Sequence, residues 1–301
     1  MALRARLFFI LSLCVLLAGC VATPVEEEKG EGVLFSASFY PVYLAALQIA
    51  GDVDEVRIEM FLQPQGGYLE DFQLSELDWA RTMQADALLM MGGGLEEFLP
   101  VFLAEGNRPM LVAGEYIDHL PGRILDPDED TAPAPNPYTW LSPRRWARIV
   151  DGMAAGLAQL DPERAEAYIA ANNAAQVRIE QMGLRLVQKM ALYQGRPVVV
   201  AHPALAYLAQ DAGLDVVFVI ERDPSMLPFP WDITGLEELL VPHAGAVLLL
   251  EQEAPLALHG LGGLPTALCE TLSVGIRDGD PMAWEHAMEH NLRVLGEALA
   301  E

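Results

Sequence analysis

Basic residues are scarce in this chain. Its 301 residues include 18 lysines and arginines against 43 aspartates and glutamates, and the formal net charge is −25 at pH 7. Proteins that bind nucleic acid rely on lysine and arginine to contact the phosphates, so we expect no nucleic-acid partner. Strong acidity favours solubility and attracts cations in general, but it does not specify a fold.

Cysteine is almost as rare. Of the three cysteines, Cys14 and Cys20 lie in the N-terminal segment, and only Cys269 lies in the body of the chain. A single cysteine cannot form an internal disulfide, even in an oxidising compartment. The body must depend on its apolar core, and a hydrophobic content of 52% is typical of a globular protein.

Long apolar runs are absent except for one, which follows two arginines near the N-terminus and ends at Ala18. It is shorter than the roughly 20 residues of a membrane span and has the layout of a secretory signal. Its end, LAGC, resembles a bacterial lipobox, in which the cysteine receives lipid. We expect a signal peptide over residues 1–19, lipidation of Cys20 and an acidic tether over residues 20–32. The alternative is an ordinary signal peptide with a chance cysteine.

Common catalytic motifs are missing as well. The sequence has no G-x-S-x-G elbow, no P-loop and no H-E-x-x-H motif. Cys269 has no evident base near it in sequence that could activate its thiol as a nucleophile. We therefore predict that the protein is not an enzyme and uses no catalytic cofactor.

The sequence does contain a regular alternation of strand-like and helix-like segments. Apolar runs such as VLFSASF and ALLMMG alternate with helical stretches over residues 33–160, and the pattern returns over residues 196–301. Nearly continuous apolar strands separated by helices are typical of parallel sheets covered by helices. We predict an α/β protein with two parallel-sheet lobes in these two ranges.

Residues 161–195 read as one long helix that links the lobes. Asp161 and Pro162 form a helix-start signal, and no strong break follows before Gly195. A helix of roughly 30 residues is about 45 Å long, enough to cross the whole molecule. The alternative is two shorter helices with a break near Gly183.

A loop with two glycines and two adjacent acids follows the second predicted strand. The stretch PQGGYLEDFQLS places Glu70 and Asp71 side by side. Parallel sheets usually bind ligands in loops at the carboxyl ends of their strands. This position favours a binding role for the two acids, and the alternative is an ordinary solvated loop.

Several longer stretches resemble one family. They are SASFYPVYLAALQIAG, LEDFQLS, NPYTWLSP, LAQLDPERAEAYIAANNAA and AHPALAYLAQDAGLDVVFVIERDPS. Over essentially the whole mature chain, they resemble the solute-binding proteins of zinc and manganese ABC importers. The resemblance implies two lobes joined by one rigid helix, a metal ion between the lobes, and an ABC permease in the membrane as partner.

The metal ligands of that family are only partly present. The resemblance implies His202 as one ligand, and it places Glu70 and Tyr138 where the family has histidines. A further, acidic ligand falls within LCETLSVG, where Glu270 is the candidate, although the alignment places Leu272 at the ligand position. Glu70, His202 and Glu270 are therefore the predicted metal ligands.

These replacements affect the expected metal. Carboxylate oxygens in place of imidazoles make a harder site, which leans toward manganese, whereas imidazole suits zinc. A neutral phenol is a poor ligand at pH 7, so we expect Tyr138 to form a wall of the site. The histidine-rich loop of the family has no histidine here between Asp126 and Tyr138.

Other acids follow predicted strands of the second lobe. Glu221 ends the run VFVIE and Glu251 ends VLLLE, both at the edge where the cleft is expected. Together with Asp71 and Tyr138, they are candidates for lining the cleft. For Glu221 the alternative is a simple ion pair with Arg222.

The expected function follows from these residues and from the resemblance. We expect a monomeric, lipid-anchored binding protein of an ABC importer, at the periplasm or cell surface, that carries zinc or manganese. The alternative is a family member whose metal site is lost and which binds another small ligand or a protein partner.

Overall fold

The computed structural model describes residues 32–61, 75–96, 108–121, 135–220, 238, 241–254, 256–273 and 279–301. Strands and helices alternate through these ranges. The strands are β1 Val33–Ala37, β2 Val56–Met60, β3 Ala87–Met90, β4 Met110–Val112, β5 Leu120–Pro121, β6 Pro135–Asn136, β7 Pro197–Val200, β8 Asp215–Val219, β9 Val247–Glu251 and β10 Thr266–Cys269. The helices are α1 Tyr40–Ala50, α2 Glu76–Gln84, α3 Pro143–Leu160, α4 Ala165–Met190, α5 Pro203–Asp211 and α6 Ala283–Leu299.

Two parallel sheets form the frame of the molecule. The first has the strand order β2-β1-β3-β4 and the second the order β10-β9-β7-β8, with parallel pairing throughout both. Every residue of β9 is buried, as expected for a strand covered on both faces. β5 and β6 form a separate antiparallel pair. The prediction of two parallel α/β lobes is confirmed.

Helix starts lie where the sequence signals them. Ser142 caps α3, since its side chain accepts the Arg145 N–H while Pro143 occupies the first helical position. Ser75 and Asp78 form a reciprocal capping box at the start of α2. Both arrangements satisfy backbone N–H groups that a helix otherwise leaves without a partner.

The long helix α4 is continuous. It runs for 26 residues through Gly183, and single turns of 3-10 helix precede and follow it at Pro162–Arg164 and Ala191–Tyr193. Gly183 lies against Pro143 of α3, where an added Cβ would stand 3.3 Å from the proline Cβ. The glycine thus permits close helix packing and does not break the helix. Neither α4 nor any other helix among the described residues is long and apolar enough to cross a membrane.

Buried tryptophans join the first lobe to the second. The Trp140 indole N–H donates to the carbonyl oxygen of Thr271 at 2.7 Å, and the Trp284 indole donates to the carbonyl of Trp140 at 2.7 Å. The Trp284 ring stacks on Trp146 with centroids 5.6 Å apart. These contacts fix the loop after β10 against the segment that precedes α3.

A buried carboxylate ties three helices together. Glu285 of α6 accepts a hydrogen bond from Gln48 of α1 at 2.8 Å and another from the Arg178 guanidinium of α4 at 3.1 Å. Because Glu285 is buried, its charge depends on these two donors for compensation. The carboxylate therefore links the first lobe, the long helix and the last helix of the chain.

Arg145 of α3 makes a further connection between the lobes. Its guanidinium is buried, lies 2.8 Å from the Asp118 carboxylate and covers the Tyr207 ring of α5 at 4.6 Å. The Tyr207 hydroxyl donates to the Asn136 carbonyl and accepts the Leu120 N–H. Burial raises the pKa of Tyr207 to about 12, so the hydroxyl keeps its proton and remains a donor.

Candidate metal site

His202 lies at the carboxyl edge of the second sheet, between β7 and α5. It is the N-cap of α5: its Nδ1 accepts the Ala204 N–H at 3.1 Å. The side chain is buried, and the imidazole meets the Tyr138 ring edge-on with centroids 5.2 Å apart. The cap and the aromatic contact together fix the orientation of the imidazole.

The second ring nitrogen of His202 faces a residue that the sequence analysis missed. Ser273 Oγ lies 3.3 Å from Nε2 of His202. In a neutral imidazole whose Nδ1 accepts, the proton is on Nε2, so Nε2–H donates to the Ser273 hydroxyl. A metal ion binding at Nε2 must displace both this proton and this contact. The run LCETLSVG contains the serine, but only its single acid, Glu270, had suggested a ligand.

Tyr138 belongs to an aromatic wall at the same place. Its ring lies 5.4 Å from Trp140 and 5.2 Å from His202, centroid to centroid, and is buried. The Tyr138 N–H donates to the Asn136 side chain, which also donates to the Pro203 carbonyl at the start of α5. Tyr138 therefore packs beside the histidine from the opposite lobe, and its role as a wall of the metal site stays a prediction.

The loop after β10 carries Glu270, which is buried. Its backbone is held at two points by Asn291 of α6: the Glu270 N–H donates to Oδ1 at 2.7 Å, and Nδ2 donates to the Glu270 carbonyl at 2.9 Å. Glu270 Oε1 accepts the Leu272 N–H at 3.3 Å. The carboxylate thus lies on the loop that also brings Ser273 to His202.

Leu272 is strained in this loop. It has a φ of 57°, in the left-handed region that leucine rarely adopts, and its side chain is buried. An apolar side chain cannot bind a metal ion. The sequence left two alignments open, with either Glu270 or Leu272 at the position of the acidic ligand. Of these two residues, only Glu270 has a side chain that can bind a metal ion.

Glu251 ends β9 beside the same loop. Its register partner in β10 is Cys269, so the next residue along, Glu270, lies at the same sheet edge. Glu251 is buried, and its place in the lining of the cleft stays a prediction. Burial raises the pKa of the Cys269 thiol, which makes the cysteine a poor nucleophile and a poor metal ligand at neutral pH.

On the side of the first lobe, Glu96 organises the carboxyl edge of the sheet. It accepts hydrogen bonds from the Ser38 hydroxyl at 2.8 Å and from the backbone N–H groups of Met91 and Gly92 at 2.7 and 2.9 Å. Burial raises the pKa of Glu96, against these hydrogen bonds, which lower it. Glu96 thereby joins the ends of β1 and β3. No pattern in the sequence singled out Glu96, although it lies two residues after the three glycines that follow β3.

Four predicted residues lie outside the described part of the chain. They are Glu70, Asp71, Glu221 and Cys20. Among the residues that the structure does describe, no three histidine, cysteine, aspartate or glutamate side chains converge as a metal cluster. The predicted ligand set includes Glu70, so its full geometry stays a prediction.

The match to a family model decides the assignment. The model of ZnuA, described as zinc-uptake complex component A periplasmic, matches residues 36–298. This range includes the second sheet, the first sheet except for the first three residues of β1, and the loop of His202. The chain belongs to the ZnuA family.

Curated relatives agree with membership of the ZnuA family. The zinc-binding lipoprotein AdcA of Streptococcus pneumoniae strain R6 is 26% identical over 308 residues, covering 94% of this chain and 59% of AdcA. The high-affinity zinc uptake system protein ZnuA of Bacillus subtilis strain 168 is 23% identical over 261 residues, covering 82% of this chain and 80% of that protein. The chain thus spans little more than half the length of AdcA.

Solved structures share the ZnuA-family fold. FpvC of Pseudomonas aeruginosa in complex with Ni²⁺ matches with a TM-score of 0.74 and 21% identity, over 89% of this chain and 97% of FpvC. A crystal structure of ZnuA matches with a TM-score of 0.73 and 21% identity, over 89% of this chain and 99% of that one. The likeness supports the two-lobed architecture.

Proposed function

We propose that this chain is the extracytoplasmic solute-binding component of an ABC importer and that its cargo is a divalent metal ion of the zinc or manganese class. Family membership supports the transport role, and the zinc named for AdcA and ZnuA supports the class of cargo. The observation that carries the proposal is the position of His202, buried at the carboxyl edge of the second sheet against Tyr138 of the first lobe.

In this proposal the metal ligands are Glu70, His202 and Glu270. His202 supplies one imidazole nitrogen and the two glutamates supply oxygens, a mixed set that both zinc and manganese accept. Tyr138 acts as a wall. The backbone of Glu270 is fixed by Asn291, which limits the movement of the loop that carries this carboxylate.

Further acids would contribute charge around the ion. Asp71, Glu221 and Glu251 are proposed to line the cleft, and their negative charge would attract a cation before it reaches the ligands. We propose no catalytic role for any of these residues.

The proposed arrangement of the chain follows the fold. A first lobe over residues 33–160 and a second lobe over residues 196–301 are linked by the helical region 161–195. A lipid at Cys20 and the tether over residues 20–32 would hold the lobes at the membrane surface, beside the permease that receives the metal. The cargo-binding unit is a single chain, because the proposed ligands all belong to one copy.

Calorimetric titration of the purified protein with zinc and with manganese tests the proposal. The decisive variant is His202→Asn, since asparagine keeps an acceptor for the α5 cap but removes the imidazole. We expect it to weaken binding at least about tenfold, equivalent to about 1.4 kcal/mol. His286→Ala is the matched control, because His286 is an exposed histidine of α6.

One outcome would contradict metal binding. If neither metal gives heat, and protein purified without chelator contains no metal, the alternative of a lost metal site takes its place. One observation favours that second candidate: His202 presents Nε2–H toward Ser273, which suits a ligand with an oxygen acceptor better than a bare cation. A small organic anion would then be the class of ligand to titrate.

A further inference from the structure

Asn136 is joined by hydrogen bonds to both sides of the contact between Tyr138 and His202. It is the last residue of β6 in the first lobe, and its side chain is buried. Tyr138 follows two residues later and packs against His202, which is the N-cap of α5 in the second lobe. Asn136 can therefore act on both partners of this interlobe contact.

On the first-lobe side, Asn136 fixes the backbone that carries Tyr138. Its Oδ1 accepts the Tyr138 N–H at 3.0 Å. A hydrogen bond from an asparagine side chain to the N–H two residues later forms an Asx turn, which sets the direction of the chain. A second turn follows directly, since the Thr139 N–H donates to the Pro137 carbonyl at 2.9 Å. The Tyr138 ring thus projects from a backbone that two hydrogen bonds hold.

On the second-lobe side, the same residue contacts α5 at two points. Asn136 Nδ2 donates to the Pro203 carbonyl at 2.9 Å, and the Tyr207 hydroxyl donates to the Asn136 carbonyl. Residues 203 and 207 are four apart in sequence, so they lie on one face of the helix. Two points on one face limit both the position and the rotation of α5. Because His202 directly precedes Pro203 as the N-cap, its backbone is limited in the same way.

The amide of Asn136 supplies two different groups, and both are used. Its oxygen accepts the hydrogen bond of the turn, and its nitrogen donates the hydrogen bond to α5. A charged aspartate has acceptors only. It would keep the turn before Tyr138 but place a carboxylate oxygen against the Pro203 carbonyl. A single substitution can therefore break the interlobe hydrogen bond and leave the turn in place.

We propose that Asn136 is a positioning residue of the metal site, which acts through Tyr138 and His202 and does not contact the ion. It fixes the imidazole of the second lobe against the first lobe, and with it the spacing of the ligands that the two lobes contribute. The inference rests on the proposed function, in which Glu70 of the first lobe and His202 of the second bind one ion. Residues that orient metal ligands typically contribute about 10- to 100-fold to metal affinity.

Calorimetric titration of the purified protein with zinc tests the effect on affinity. Asn136→Asp should weaken zinc binding by about 10- to 100-fold, although its added negative charge would by itself attract the cation. Gln176→Glu is the matched control. The Gln176 amide also donates to a backbone carbonyl, that of Ala147 at 2.8 Å, but it joins α4 to α3. This control adds the same charge and should change zinc affinity by less than about twofold.

A second measurement needs no metal. In the metal-free protein, the ring current of Tyr138 shifts the NMR signals of the C–H protons on the His202 imidazole, because the two rings are in contact. His202→Asn identifies these signals by removing them, and Tyr138→Leu gives their positions without the ring. In Asn136→Asp the signals should move toward the Tyr138→Leu positions, whereas in Gln176→Glu they should keep the wild-type positions. A role of Asn136 in stability alone would leave the signals unchanged in both of these variants.

Tyr207→Phe is a second variant, which keeps the ring against Arg145 and removes only the hydroxyl. It should weaken zinc binding about two- to tenfold and move the His202 signals less than Asn136→Asp does. If Asn136→Asp does not fold, Tyr207→Phe decides the question. Unchanged zinc affinity or unchanged His202 signals in the folded variants would overturn the inference. If the wild-type protein binds neither zinc nor manganese, the proposed function fails, and the NMR signals alone decide whether Asn136 positions His202.

Discussion

Replacing Ser273 by alanine tests how the candidate site controls access to His202. The serine hydroxyl accepts from Nε2–H of His202 at 3.3 Å, which is longer than a typical N–H···O bond of about 2.9–3.0 Å and therefore weak. A hydrogen bond of this kind contributes about 0.5–1 kcal/mol. Metal binding at Nε2 must give up this contact, so its removal in Ser273→Ala should tighten metal binding by about two- to fivefold.

The assay is competition of the purified protein with a fluorescent zinc chelator, which resolves differences of this size. Thr266→Ala is the matched control, because its hydroxyl lies at the other end of β10 and bonds to Leu264 and Gly260. A lower affinity in Ser273→Ala would refute the reasoning, since it would make the serine a metal ligand or a support for the imidazole. An unchanged affinity would show that Nε2 is not the atom that binds the metal.

The remaining predictions concern the connections between the lobes. Trp140→Phe keeps an aromatic side chain but removes the indole N–H that donates to the Thr271 carbonyl. We expect it to lower the free energy of unfolding in urea by at least about 1–3 kcal/mol, because a buried acceptor is left without its donor. No change would mean that water replaces the indole N–H. Burial opposes ionisation of Asp118, but Arg145 and its neighbouring arginines hold the pKa of Asp118 below its ordinary value. The stabilisation is then present above the ordinary carboxyl pKa of about 4 and lost as the pH falls through the lowered pKa, so Asp118→Asn should flatten the loss of stability in acid. Because bending α4 would break its backbone hydrogen bonds, X-ray scattering profiles with and without metal should nearly overlay, and a large drop in radius of gyration would contradict a rigid link.

Much of the fold was predictable because its signals are local. Each strand is marked by an apolar run of a few residues, and the alternation of these runs with helical stretches indicates parallel strands. The structure has those strands. Ser142 followed by Pro143 predicts the start of α3, since a cap acts within one helical turn. The predicted range 161–195 was longer than α4 itself, which begins at Ala165 and ends at Met190. The sequence signals did not separate the flanking 3-10 turns from the helix.

The candidate site was only partly predictable. His202 was selected through the resemblance to a family, and the cap that orients it uses Ala204, two residues away. Ser273 lies 71 residues from His202 in sequence, and the Trp140 indole reaches a carbonyl 131 residues away. No pattern along the chain marks these contacts. The contact of His202 with Ser273 arises only when the second lobe folds, and that of Trp140 with Thr271 only when the two lobes pack against each other.

The sequence alone therefore determined most of the elements and their caps, and the resemblance to a family gave the candidate ligands, whereas the β5–β6 pair was not predicted. Tertiary structure decided which groups meet. Asn291 of α6 holds the backbone of Glu270, two residues before Leu272, which has a strained φ of 57°. The physical reason is range: propensity and capping act over one or two turns, whereas burial and hydrogen bonding between lobes depend on the packing of the whole chain.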